Sequence, residues 1–186
     1  TMGVSVSAAF AVVNRIDDFA YTPEQNIAHA MTALMAQNKG AGKIDRMKEG
    51  FRCGIILETI YGILIFIICF ALARPLMMMF VKDEEVIGHG VTYLHLISVM
   101  YLLPALTNGI QGFFRGIGDL KITLISSFIN MALRVLAAAP LVLIWKMGIE
   151  ALPYSYLAGW IGMLVAETPL LLKTYKTWGK KGETPC

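Results

Sequence analysis

Several acids, amides and phenols of this sequence lie inside or beside long apolar stretches, where polar groups are costly. Over residues 5–38 the polar side chains recur at helical spacing and form one stripe: Ser7, Asn14, Asp18, Tyr21, Gln25, His29 and Thr32. Asp17 lies one position from this stripe. A carboxylate beside such a stripe can bind a monovalent or organic cation, or exchange a proton. The structural alternative is that Asp17 and Asp18 pair internally with Arg15.

A second set of polar residues shares one helix face within residues 86–114: Tyr101, Pro104, Asn108 and Gln111. Uncharged amides and a phenol can orient an organic molecule without holding it too tightly, and Pro104 frees a backbone carbonyl. Hydrogen bonds between packed helices are the alternative for the two amides. The residues of both sets that we predict to form a substrate and ion pathway are Asp17, Asp18, Tyr21, Gln25, Tyr101, Asn108 and Gln111.

Four other charges interrupt apolar stretches: Arg15, Glu58, Arg134 and Glu167. A charge at the centre of a bilayer costs about 2.5–3.5 kcal/mol on insertion scales. Glu58, near the start of its stretch, would reach the headgroups or pair with a base of the preceding loop. Arg134 would find a buried carboxylate or several carbonyls, and Glu167 would be an interfacial or paired acid. We therefore interpret all four as structural intramembrane charges.

Several other chemistries are excluded by spacing. Gly40, Gly42 and Lys43 resemble the end of a phosphate-binding loop, but Gln37 stands where that loop needs glycine, and Ile44 follows the lysine in place of Ser or Thr. Histidines separated by five residues face different sides of a helix, and the cysteines form no CxxC pair. We also find no nucleophile with an adjacent base. The sequence predicts no enzyme, no metal site and no cofactor.

The composition favours a membrane protein. The chain is 56% hydrophobic and 16% charged, with a mean hydropathy of +0.62, whereas soluble domains carry about 25% charged residues. The formal net charge of +3 is small and is interrupted by apolar runs. A nucleic-acid surface is therefore not expected.

The apolar pattern predicts an all-α, polytopic membrane helix bundle with five transmembrane helices. Four stretches are long and apolar, at about 53–81, 86–114, 122–145 and 151–172. A fifth stretch, residues 5–38 at the start of the chain, is polar in its middle and contains Pro23, which should bend the helix. We interpret it as a span whose stripe faces other helices or a cavity, in particular the cavity of this bundle opposite Tyr101, Asn108 and Gln111. A surface amphipathic helix is the alternative.

Lysines and arginines predict the orientation. Eleven lie in the turn at 39–52, in the turn at 115–121 and after residue 172, and three lie in the alternate loops. Because cytoplasmic loops collect positive charge, the chain would start outside, and the tail at 173–186 would be cytoplasmic. The expected location is the plasma membrane.

Three stretches resemble the multidrug and toxic compound extrusion (MATE) family of efflux transporters. NRIDDFAYTPEQNIAHAMTALMAQNKGAGKIDRMKEG is similar to the eighth helix of that family and the loop after it. FFRGIGDLKIT resembles the turn after the tenth helix, and LRVLAAAPLVLIWKMGIEALPYSYLAGW resembles the eleventh and twelfth. The segments QN-x-GAGK and RG-x-G-D are the most specific, and Asp17 lies in the family-like RIDDF segment.

The resemblance implies a twelve-helix transporter of two six-helix lobes that exports organic, often cationic drugs by antiport with protons or sodium. Residues 1–186 would be most of the C-terminal lobe, and the chain would lack the seventh helix and the N-terminal lobe. Its partners would be that lobe, small organic cations or other xenobiotics, and membrane lipid. The alternatives are a lipid-linked saccharide flippase of the same superfamily, which would need a basic cavity, and a non-transporting membrane subunit.

Overall fold

A computed structural model describes residues 3–148 and 151–181 of the chain. Within these residues the chain is helical and contains no strand. The helices in chain order are α1 (Val4–Gly40), α2 (Ile44–Ala71), α3 (Ala73–Met78), α4 (Glu84–Ser98), α5 (Leu102–Gly116), α6 (Leu120–Leu143) and α7 (Ala151–Lys181). The predicted all-α membrane helix bundle is confirmed.

The number of membrane-spanning helices depends on how a broken pair is counted. By length and apolarity, α2, α6 and the 151–177 part of α7 could each cross a membrane, and α4 with α5 could form a fourth span bent by 48°. The polar middle of α1 keeps it outside this set. A crossing by α1, and hence the count of five, stays a prediction.

The break between α4 and α5 replaces the single helix expected over 86–114. The chain leaves the α4 helix after Ser98, and α5 starts at Leu102. Pro104 then occupies the first turn of α5, where its missing N–H is not needed and its ring has no preceding turn to clash with. The chain therefore bends ahead of Pro104 rather than at it.

Helix α1 continues through Pro23 without a break. Its buried face is a stripe at three- and four-residue spacing: Ala9, Val13, Ile16, Ala20, Glu24, Ala28, Met31 and Met35. In the turn before Pro23, the hydroxyl of Tyr61 on α2 donates a hydrogen bond to the carbonyl of Ala20 over 3.0 Å. Small residues on this stripe bring α1 close to its neighbours.

Two apolar clusters hold the bundle together. One joins the first half of α1 to the end of α2, α3 and α4 through residues such as Val13, Met77 and Leu94. The other joins the second half of α1 to α2 and α5 through Met35, Phe51 and others. On α6, by contrast, only Ser126 is buried. Most of the large apolar side chains of α6 are exposed, as expected for a surface that contacts lipid.

Glycines allow α1 and α5 to approach closely. A Cβ atom on Gly112 would lie 2.6 Å from the carbonyl oxygen of Ala28, and one on Gly116 would lie 2.6 Å from that of Thr32. The hydroxyl of Thr32 donates to the carbonyl of Gly112 over 3.1 Å in the same contact. Any larger residue at either glycine would separate the two helices.

The basic turns gather at one end of the bundle. The ammonium of Lys39, after α1, donates to the carbonyl of Ile117, after α5. The hydroxyl of Tyr175 on α7 lies 3.5 Å from the carbonyl of Lys48. The predicted tail at 173–186 begins inside α7, which continues to Lys181, and residues 182–186 lie outside the described residues.

Candidate substrate and ion pathway

A polar cavity of about 220 Å³ opens between α1, α5, α6 and α7. We call it the lobe cavity. Its walls are amides, hydroxyls, two aromatic side chains, one arginine and one thioether, contributed by Tyr21, Thr107, Asn108, Gln111, Ser127, Asn130, Arg134, Trp160 and Met163. Three residues of the predicted pathway, Tyr21, Asn108 and Gln111, therefore lie around one space.

Hydrogen bonds connect the predicted pathway residues to their neighbours. The hydroxyl of Tyr21 on α1 donates to Oδ1 of Asn108 on α5 over 3.2 Å. One turn further along α5, Nε2 of Gln111 donates to Oε1 of Glu167 over 3.3 Å and lies 3.4 Å from Oγ of Ser127. Gln111 thus connects α5 to α6 and α7 at the wall of the cavity. Both predicted uses of these amides, ligand orientation and helix packing, are compatible with this geometry.

The guanidinium of Arg134 contacts an aromatic ring rather than the buried carboxylate that was one of its expected partners. Its guanidinium carbon lies 3.9 Å from the ring centroid of Tyr156 on α7, a cation–π arrangement. No carboxylate forms an ion pair with it among the described residues. Gly159 provides the space, because a Cβ there would lie 2.6 Å from Cγ of Arg134. Arg134, which the sequence predicts to be a structural charge, also lines the lobe cavity.

Asp17 is half-buried on α1, beside the break between α4 and α5. Its carboxyl interacts with the hydroxyl of Tyr101, a residue that is 2% exposed. That hydroxyl makes no hydrogen bond of good geometry, so the two groups are close without being tightly paired. Neither residue lines the lobe cavity. The predicted pathway residues therefore lie in more than one place. Tyr21, Asn108 and Gln111 line the lobe cavity, whereas Asp17 and Tyr101 lie beside the break between α4 and α5.

Much of the polar stripe of α1 points away from this bundle. Asp18, Gln25 and Arg15 are exposed, and none of them lines the lobe cavity. The expectation that the whole stripe faces that cavity is wrong. The inward positions belong to the smaller apolar stripe, whose close packing leaves the bulkier polar residues at the flank and outside. Arg15 forms no ion pair with Asp17 or Asp18 among the described residues.

The two remaining acids of the structural set are fully buried. Glu58 has no exposed surface and no hydrogen bond to either oxygen. Because α2 begins at Ile44, Glu58 lies near the middle of that helix, and the expectation that it reaches the headgroups or a loop base is wrong. Glu167 is also buried; it accepts a hydrogen bond from Gln111 and interacts electrostatically with Arg115.

One buried acid, Glu24, was absent from the predicted site. It has no exposed surface and interacts electrostatically with Glu58 on α2. The signal that could have found it is its spacing: Glu24 lies seven residues after Asp17, two helical turns along nearly the same face. The polar stripe through Asp18 and Gln25 lies on the other side of the helix.

Three comparisons match this architecture. A family model described as MatE matches residues 1–139. The probable multidrug resistance protein YoeA of Bacillus subtilis (strain 168) is 29% identical over 96% of this chain, which spans 38% of that relative. An outward-facing multidrug resistance MATE family transporter of the MOP superfamily has a TM-score of 0.86 at 16% identity. The match covers 93% of this chain and 39% of the chain of that transporter.

The MATE transporter ClbM in complex with Rb+ has a TM-score of 0.74 at 17% identity, covering 93% of this chain and 43% of its own. These structural likenesses show the fold of a MATE transporter lobe. Because the family model extends over well more than half of the residues, this chain belongs to the MatE family, the MATE transporters that its motifs resemble.

Proposed function

We propose that this chain is most of the C-terminal lobe of a cation-coupled antiporter that exports organic, often cationic drugs or toxic compounds by alternating access. The observation that carries the proposal is the lobe cavity, in which side chains from four helices surround one polar space. Family membership supports transport, and the relative from Bacillus subtilis is named a probable multidrug resistance protein. Its missing partner would be the N-terminal lobe of the same protein, since alternating access needs two lobes around a shared site.

The lining of the cavity suits varied organic molecules. Asn108, Gln111 and Asn130 offer donors and acceptors without net charge, and Trp160 offers a broad apolar surface. A lipid-linked saccharide flippase would need several bases around a pyrophosphate, and this lining includes one arginine, Arg134. The cavity therefore favours drug export over that alternative.

Coupling requires a group that responds to both ion and drug. Asp17 is our candidate, because it is half-buried next to Tyr101 and close to the other acids of the bundle. Protonation would weaken its attraction for a cationic drug, and a bound drug or sodium ion would favour the ionised form. This reciprocal linkage is what joins the two flows. The complex of ClbM with Rb+ shows a monovalent cation in a protein of this fold.

The proposed location is the plasma membrane, crossed several times, with the basic turns and the C-terminus in the cytoplasm. The contacts from Lys39 to Ile117 and from Tyr175 to Lys48 support one common side for these segments. The positive-inside rule then selects the cytoplasm as that side.

Dye efflux by the complete gene product tests the proposal. Asn108→Ala and Gln111→Ala should reduce ion-driven efflux by at least about tenfold or change which dyes are carried, because each removes a polar wall of the cavity. The matched controls are Asn26→Ala and Gln37→Ala, at exposed positions. Efflux that stays unchanged in both cavity variants, with normal membrane expression, would contradict a substrate site here. A complete product that carries no drug along an ion gradient would contradict the antiporter.

A further inference from the structure

Glu24 and Glu58 are two buried acids for which the lobe cavity gives no explanation. Glu24 on α1 interacts electrostatically with Glu58 on α2, and both side chains have no exposed surface. None of their four carboxyl oxygens has a hydrogen-bond partner. Next to Glu58, a Cβ on Gly109 of α5 would lie 3.5 Å from Cγ of the acid. Two adjacent negative charges in such a place would be strongly unfavourable.

No basic side chain forms an ion pair with Glu24 or Glu58 within the described residues. The ion pair found there is Arg74 with Glu84, which joins α3 to α4. The groups that interact with Glu24 are Glu58, Asp17, Tyr21 and Tyr61, which are acids or phenols. From α5 the neighbour of Glu58 is Gly109, and Tyr93 of α4 and Tyr101 interact with Asp17.

A metal ion also fits poorly between these two acids. Sodium and larger cations need several oxygen ligands, commonly six or so for hard cations. No third His, Cys, Asp or Glu joins Glu24 and Glu58 in a metal-binding group among the described residues. Neither acid lines the lobe cavity. A proton needs neither space nor extra ligands.

We propose that Glu24 and Glu58 form a buried proton-binding pair, distinct from the lobe cavity, in which at least one carboxyl stays protonated at neutral pH. Glu24 also interacts with Asp17, which lies two turns away, about 10 Å along α1 at ~1.5 Å per residue. A charge on Asp17 therefore disfavours a charge on Glu24. The pair acts as a store whose proton occupancy responds to Asp17. This deepens and rests on the proposed antiport, in which the coupling ion would then be the proton.

Infrared spectroscopy of the full chain in lipid nanodiscs tests proton binding without any transport measurement. Protonated carboxyls have a carbonyl stretch separate from that of carboxylates. At pH 7 we expect the parent to show this band, and the Glu24→Gln, Glu58→Gln double variant to lose about one carboxyl equivalent of it or more. The matched control, Glu49→Gln, changes an exposed acid of α2 and should leave the band unchanged.

Gln has nearly the shape of a protonated Glu, so the double variant should fold and melt at or above the temperature of the parent. If the double variant fails to fold, 13C labelling of glutamate in the parent and in each single variant still gives the number of protonated glutamates. A parent without protonated glutamate at pH 7, or a double variant with an unchanged band, overturns the proposal. Thermal stabilisation of the parent by sodium over choline that the double variant loses also overturns it, because it indicates a cation site. If the infrared result is as expected but the complete gene product exports no drug, the antiport is refuted and the proton-binding pair still stands.

Discussion

The hydroxyl of Tyr21 donates a hydrogen bond to Oδ1 of Asn108 over 3.2 Å and joins α1 to α5 at the wall of the lobe cavity. The two residues are 87 positions apart in the chain. Helix α1 thus contributes to the cavity through Tyr21, a member of its polar stripe. The bond lies where a substrate in the cavity would compete for both groups.

Tyr21→Phe should weaken this connection. Removal of the hydroxyl should cost about 1 kcal/mol of stability, as for a partly buried hydrogen bond, and should lower efflux of dyes by the complete gene product. Thermal unfolding in detergent and dye efflux are the measurements. Tyr154→Phe, at an exposed position of α7, is the control. A Tyr21→Phe protein that melts and transports like the parent would show that the bond contributes neither to packing nor to transport.

Gly112→Ala should destabilise the bundle. The new Cβ would lie 2.6 Å from the carbonyl oxygen of Ala28, a backbone atom that cannot rotate away, so α1 and α5 must separate. We expect a loss of about 1–3 kcal/mol, typical of overpacking, measured as a lower thermal midpoint. Gly88→Ala is the matched control, because a Cβ there meets nothing within 4 Å. Equal midpoints for the two variants would contradict the close packing of α1 on α5.

Asp17→Asn in the complete gene product should abolish or severely reduce coupled efflux with near-normal membrane expression, since the variant keeps the size and removes the charge. Ion-driven dye efflux and surface expression are measured together, with Asp45→Asn as the exposed control. Transport like that of the parent would remove Asp17 from the coupling mechanism. Poor accumulation in the membrane would make it a structural residue, with Tyr101 rather than the exposed Arg15 as its neighbour.

Cysteine labelling tests the orientation. In a variant without the native cysteines, a cysteine at Asp45 or Lys176 should react with an impermeant reagent only from the cytoplasmic side. A cysteine at Lys82 should react only from outside, because α2 separates it from Asp45. Labelling of positions 45 and 82 from the same side would mean that α2 does not cross the membrane.

The cavity amides and Tyr21 could be predicted because their environment is partly local. Asn108 and Gln111 share one face of a single helix by spacing alone. Tyr21 lies on a polar stripe that is visible in the sequence. Which stripe of α1 turns inward was not predictable in this way. Ala28 and Met31 on the buried stripe pack where Gly112 of α5 and Gly54 of α2 make room for close contact, and that depends on residues far along the chain.

The sequence by itself determined the membrane class, the helical fold and the family, because hydropathy, loop charge and motif order are properties of consecutive residues. It also determined which side chains are polar within apolar surroundings. The tertiary structure alone decided which of them meet: Glu24 with Glu58, Gln111 with Glu167, and Arg134 with the ring of Tyr156. The reason is physical. Burial and pairing of a side chain depend on the rotation of each helix against its neighbours, and that rotation is set by packing across the whole bundle.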